Sequence, residues 1–203
     1  MNNSGRSMVE MLGILAIIGV LSIGALAGFN KAMMKHKLNK QAEQLNSLLM
    51  SVITHIDKLK TENVADLTNF FVKLGEVEMK TNAQGRFVDN FGQVYYITRQ
   101  TISEKMHLVV FIQTDFSTSE NAKEHFEMCQ NLFKVVQNYS PYIHYFDEYS
   151  YNQDGQGNRT KAFPGDAFCK TKCLNNADLD SIYDFCTIQS GQKNGHFKIW
   201  FMF

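Results

Sequence analysis

Hydrophobic and polar positions divide this chain into three kinds of pattern. The first is a solid apolar run, Met11 to Gly28, with 18 residues, no charge and Ser22 as its only hydroxyl. As a helix it extends roughly 27 Å at about 1.5 Å per residue, close to the hydrocarbon thickness of a bilayer. The second pattern follows without a break. From Phe29 to Lys60 there is no Pro or Gly, and Leu38, Ala42, Leu45, Leu49, Val52, Ile56 and Leu59 recur at alternating steps of four and three. That spacing predicts one apolar stripe on a helix continuous from Met8 to Lys60 and roughly 80 Å long. The stripe suits a helix packed on its own domain, with a coiled-coil seam as the alternative.

The third pattern, from residue 61 onward, mixes short periods. Asp66 to Leu74 reads as a short helix with Asp66 as N-cap and Gly75 as terminator. Val94–Ile102 and Met106–Thr114 alternate as strands and predict a hairpin turning at residues 103–105. A helix is predicted in "TSENAKEHFEMCQNLFKVVQNY", capped by Thr118 or Ser119, with Phe126, Cys129, Leu132, Phe133 and Val136 on one face. The stretch "IHYFDEYSYN" reads as a strand, "NQDGQGNRT" as a turn-rich loop, "NNADLDSIYDFC" as one or two helical turns, and "HFKIWFMF" as a last strand. The predicted class is α+β: a long N-terminal helix, membrane-spanning over 11–29 and amphipathic beyond, packed on a mainly antiparallel sheet with small helices in a 61–203 globular domain.

Composition narrows the chemistry. The 203 residues carry 20 Lys+Arg and 20 Asp+Glu, so no net field recruits nucleic acid. Lys31, Lys35, His36, Lys37 and Lys40 form a basic cluster just past the apolar run, where lysines meet lipid phosphates. By the positive-inside rule that cluster favours a cytoplasmic C-terminal domain. The cysteines argue the opposite. Cys129, Cys169, Cys173 and Cys186 all lie in the domain beyond the apolar run, and an even number there fits disulfides in an oxidising compartment, with three connectivities open. A zinc site through "CKTKC" lacks a second ligand pair. His125 and Cys129 stand one helical turn apart, which suits an activated thiolate less well than a half-cystine beside a surface histidine. His36, His55, His107, His144 and His196 read as isolated. Oxygen ligands at Asn152, Asp154 and Asn158, or at Asp178, Asp180 and Asp184, resemble calcium spacing but lack the closing Glu, and read as solvated turns. No phosphate loop or nucleophile elbow is present, so neither a catalytic site, a metal nor a cofactor is expected.

One residue in the apolar region demands a reason. Glu10 stands at its leading edge, and a carboxylate in a membrane helix costs on the order of 2.5–3.5 kcal/mol at the bilayer centre, less near the interface. A cleaved signal peptide would use "ALA" at Ala25–Ala27, and a plain signal anchor would stay uncleaved; neither employs Glu10. Taken whole, "SGRSMVE" places Gly5 five residues before Glu10 at the head of an apolar helix, and this resembles the processing site of type IV pilins and pseudopilins.

The resemblance implies a 1–5 leader removed by prepilin peptidase after Gly5, a methylated N-terminus at Arg6, and a long helix over 6–60. It also implies that Glu10 pairs with the N-terminal amine of a neighbouring subunit, which would offset its burial and set register. Arg6 stands where the family usually has an apolar residue. The C-terminal half resembles type IVb pilins through "VDNFGQVYYI", the helix bearing Cys129 and the position of Cys186 before a terminal strand, although the leader is shorter than theirs. That likeness implies bridges Cys129–Cys186 and Cys169–Cys173. The expected function is a structural, non-enzymatic subunit of a type IV pilus-like filament. Its partners would be itself, other pilin subunits, the peptidase and inner-membrane lipids, with no nucleic acid. The precursor would sit in a bacterial inner membrane with its domain extracytoplasmic, and would assemble into a surface or periplasmic filament. A type II secretion pseudopilin and a membrane-anchored extracytoplasmic binding or sensor protein are the alternatives.

Overall fold

The computed structural model describes residues 4–59, 65–102, 104–115, 122–152, 157–187 and 192–202. Helix α1 runs from Ser4 to Leu59. Two compact units divide the chain, one up to Asn39 and one from Lys40 to Phe203, so α1 contributes its apolar part to the first and its amphipathic part to the second. In the first unit the large apolar side chains from Met8 to Phe29 are 53–73% exposed, which makes this a helix long and apolar enough to cross a membrane with its apolar surface uncovered. The Ser22 hydroxyl donates to the Ile18 carbonyl at 2.7 Å, so the lone polar group of the run is satisfied within the helix.

In the second unit the stripe on α1 turns inward. Leu45, Leu49 and Val52 are fully buried and Leu59 nearly so, in a core shared with the sheet, as a helix packed on its own domain requires. Three further helices complete this layer: α2 (Thr68–Leu74), α3 (Ala122–Gln137) and α4 (Leu179–Cys186). Gly75 closes α2 at φ 69°, a left-handed position that glycine adopts without strain. The N-cap differs from expectation. Leu67 occupies it, and Asp66 acts one residue earlier, its Oδ1 accepting from the Thr68 N–H at 2.9 Å. The two capping residues expected for α3, Thr118 and Ser119, lie outside the described residues. Asp178 caps α4, accepting from the Ser181 N–H at 2.8 Å.

The sheet has seven strands: β1 (Lys80–Thr81), β2 (Phe87–Val88), β3 (Val94–Ile102), β4 (Lys105–Asp115), β5 (Tyr145–Asn152), β6 (Gly157–Pro164) and β7 (Gln192–Met202). All pairs are antiparallel in the order β1-β2-β3-β4-β7-β5-β6. Strand β6 corrects the loop expected over "NQDGQGNRT": Gly157, Asn158 and Arg159 already pair with β5, and the register shifts at Thr160. Turn-formers there mark the approach to a hairpin, and the backbone ladder extends beyond them because β5 supplies a partner. The final strand enters the middle of the sheet, between β4 and β5. The strand pairing that joins the two halves of the sheet therefore runs through the C-terminal segment.

Period-2 alternation gives the sheet two unlike faces. Inward, Leu108, Val110 and Ile112 of β4 and Phe197, Ile199 and Phe201 of β7 meet the helices. Phe133 of α3 lies 5.1–5.5 Å from the rings of Phe146, Phe163 and Phe185. The disulfide Cys129–Cys186 ties α3 to α4 across this core, its Cα atoms 5.5 Å apart. A second bridge, Cys169–Cys173, closes a five-residue loop in which Lys172 takes φ 54°. The stretch is a turn rather than a strand, and this lets its ends meet.

A buried polar network fixes α1 to the sheet through "VDNFGQVYYI". Asp89 Oδ1 accepts from the N–H groups of Phe91 and Gln93, both at 2.9 Å, and Oδ2 accepts from the Tyr95 hydroxyl at 2.9 Å. Gln41 donates to Gln93 Oε1 at 3.0 Å and accepts from Asn131 of α3 at 3.0 Å. Burial pushes the Asp89 carboxyl above its usual range and the Tyr95 phenol well above its own.

Candidate functional site

Two places carry chemistry. The first is the leading end of α1. Gly5 and Arg6 fall in its first turn, and Glu10 is exposed among exposed apolar neighbours. Within the basic cluster that follows, Lys40 bonds to Glu43 at 3.1 Å and Glu78 at 3.2 Å, and these hydrogen bonds raise its pKa.

The second place is the outer face of the sheet, where sequence reasoning expected nothing. Register sets side chains of β4, β7 and β5 in cross-strand rows: Val109, Trp200 and Tyr145 form one, and Phe111, Lys198 and Asp147 the next. Tyr96 stacks on Phe111 with ring centroids 4.7 Å apart, and the Lys198 ammonium lies 5.2 Å from the centroid of Phe111 and 4.2 Å from that of Tyr149. These are cation–π distances. Val109, Phe111 and Trp200 are buried here although they face away from the helices, because long aromatic and cationic neighbours fold over them.

At one end of this face the side chains stand around a cavity of about 380 Å³. Its wall contains two histidines that stand 37 residues apart in the chain and were expected to be isolated. His107 Nε2 lies 3.0 Å from His144 Nδ1, the rings stack at 5.0 Å, and Phe168 closes on His144 at 4.3 Å. His107 Nδ1 is 3.1 Å from the Lys105 carbonyl oxygen, which only accepts, so that nitrogen carries a hydrogen. In the neutral pair, His107 Nε2 then accepts from His144.

Trp200 donates its indole N–H to Asp147 Oδ1 at 3.0 Å, fixing a carboxylate that is only 3% exposed. His144 is itself held by backbone. Its N–H donates to the Trp200 carbonyl at 2.7 Å and its carbonyl accepts from the Gly165 N–H at 3.0 Å. A Cβ at Gly165 would stand 1.8 Å from the Ile143 carbonyl oxygen, so only glycine permits this approach.

His55 and His196 are not isolated either. His55 lies 3.0 Å from Glu76 Oε2, and His196 3.3 Å from the Gln113 amide nitrogen. His125 is buried, not on the surface, and stacks on Phe197 with centroids 6.0 Å apart; burial lowers its pKa to about 4. Cys129 beside it is disulfide-bonded and cannot serve as a thiolate. Asp178, considered for calcium, is occupied as the cap of α4, and the loop at Asp154 lies outside the described residues. Among the described residues no group of three His, Cys, Asp or Glu side chains could hold a metal ion.

No protein-family model matches the chain, and no curated protein or solved structure does. The alternation of β4, β5 and β7 does reveal which residues share the outer face. It does not reveal that β7 lies between the other two, and that adjacency makes the cavity.

Proposed function

We propose that this chain is a structural subunit of a type IV pilus-like filament, anchored by α1 in a bacterial inner membrane before assembly and carrying its disulfide-bonded domain on the extracytoplasmic side. The observation that carries the reading is Glu10: an exposed carboxylate at the head of an exposed apolar helix, five residues after Gly5. In lipid that charge costs free energy, and a neighbouring N-terminal amine created by cleavage after Gly5 would offset it. The apolar surface from Met8 to Phe29 gives helices of several copies a surface to pack on, and the paired cysteines suit an oxidising compartment.

Mass spectrometry of the N-terminal peptide tests the reading. It is expected to find Arg6 at the terminus, methylated, whereas a start at Gly28 or an intact Met1 would overturn it. Glu10→Ala is expected to leave membrane insertion and domain folding intact while sharply reducing filament yield. A pseudopilin of a secretion system would share both results. Electron microscopy of sheared surface material, probed for this chain, separates the two. A membrane-anchored binding protein is the second reading, supported by the cavity on the outer sheet face.

A further inference from the structure

We propose that the outer-face cavity is a binding site for a small carboxylate carried on a single six-membered ring, a function that goes beyond filament assembly. Its volume of about 380 Å³ lies at the lower end of the range found for small-molecule sites, roughly 300–1,000 Å³. That leaves room for one ring with short substituents. The walls are chiefly aromatic: Trp200, Tyr145 and Tyr149 present ring surface, and flat or puckered rings pack on such surfaces.

Charge selects the sign of the ligand. Asp147 is the one acid in the wall among the described residues, and it accepts the indole N–H of Trp200 while standing opposite Lys198 in the β5–β7 register. Lys105 is then in excess. It lies at the head of β4, exposed, with no ion-pair partner among the described residues, and its own backbone carbonyl orients His107. The histidine pair beside it carries no negative charge and so compensates no cation. A carboxylate near Lys105 and the histidines, with its ring toward Trp200, satisfies the charges already present.

Trp200 is the only tryptophan in the chain, so its emission reports on this cavity alone. The full-length chain in a nonionic polyoxyethylene detergent is titrated with cyclohexanecarboxylate and with glucuronate, and in parallel with cyclohexylmethanol and methyl glucoside. Saturable shifts are expected with the acids, at dissociation constants on the order of 0.1–1 mM for ligands of this size. Which acid binds more tightly tells whether the ring is hydrocarbon or sugar. Lys105→Ala, a change at an exposed side chain, is expected to weaken the acids roughly three- to tenfold, with recovery in Lys105→Arg. The proposal is overturned by the absence of saturation with both acids, by neutral analogues binding as tightly as their acids, or by an unchanged affinity in Lys105→Ala.

Discussion

The two faces of the sheet are made from the same strands yet do different work. On β4, Leu108, Val110 and Ile112 point to the helices, while His107, Val109 and Phe111 point away, and all six are buried. The inner residues are buried by other elements. The outer ones are buried by each other, through cross-strand rows and cations lying on rings. A face covered by helices tolerates polar groups only where a helix supplies their partners, as Gln41 does for the group around Asp89. A face that covers itself keeps a route to solvent and accommodates a histidine pair, a lysine and a carboxylate around an open cavity. Stability is thus concentrated on one side and chemistry on the other.

The strongest way to break the comparison is to remove an anchor of the inner face. Phe133→Ala deletes the ring that meets Phe146, Phe163 and Phe185 and is expected to cost about 3–5 kcal/mol, read as a shift of the denaturant midpoint. Replacing Cys129 and Cys186 together by Ala tests the same layer through the unfolded chain. A loop with sequence separation 57 predicts a loss of about 4 kcal/mol in the chain-entropy model. If either change is borne more easily than Trp200→Phe, the inner face does not dominate stability.

Next in size is a pH effect on the inner side. His125 has its pKa lowered to about 4 by burial, whereas the unfolded chain titrates near 6.5. Between those values the unfolded state binds more protons, so stability rises with pH there. The contribution is fully present above about 6.5 and is lost as pH falls toward 4, amounting to roughly 3 kcal/mol. Urea titrations from pH 7.5 to 4 measure the slope, and His125→Phe is expected to flatten it; an unchanged slope would place the acid sensitivity elsewhere.

On the outer face effects are smaller. Trp200→Phe removes the N–H that Asp147 accepts and is expected to cost about 1–3 kcal/mol, since it leaves a buried carboxylate one donor short. Converting Asp147 to Asn in the same background is expected to recover part of that loss. Absence of recovery would mean that packing, and not the carboxylate, dominates at this position.

Much of the architecture was legible in local pattern. The stripe from Leu38 to Leu59, the hairpin of Val94–Ile102 with its partner and the buried face of Cys129, Leu132, Phe133 and Val136 follow from periodicity, which reports how each segment divides water from core. Local chemistry also reached Gly75 as the terminator of α2, whereas Asp178, read as part of a calcium-like run, caps α4 instead. Local pattern failed where the determining contact is distant in sequence. Strand β6 begins among turn-forming residues because β5 pairs with them, and His125 is buried because Phe197 lies beneath it.

The sequence by itself determined that a membrane-length apolar helix leads into an α+β domain, and which residues alternate onto which phase of each strand. Only the tertiary structure decided that the last strand enters between β4 and β5. That insertion places Trp200 beside Val109 and Tyr145, and Lys198 between Phe111 and Asp147. The backbone hydrogen bonds of β7 to its two neighbours, together with the close approach at Gly165, set His144 against His107. Strand order depends on pairing and packing summed over the whole sheet, and residue type along one strand carries no mark of the strand that will lie beside it.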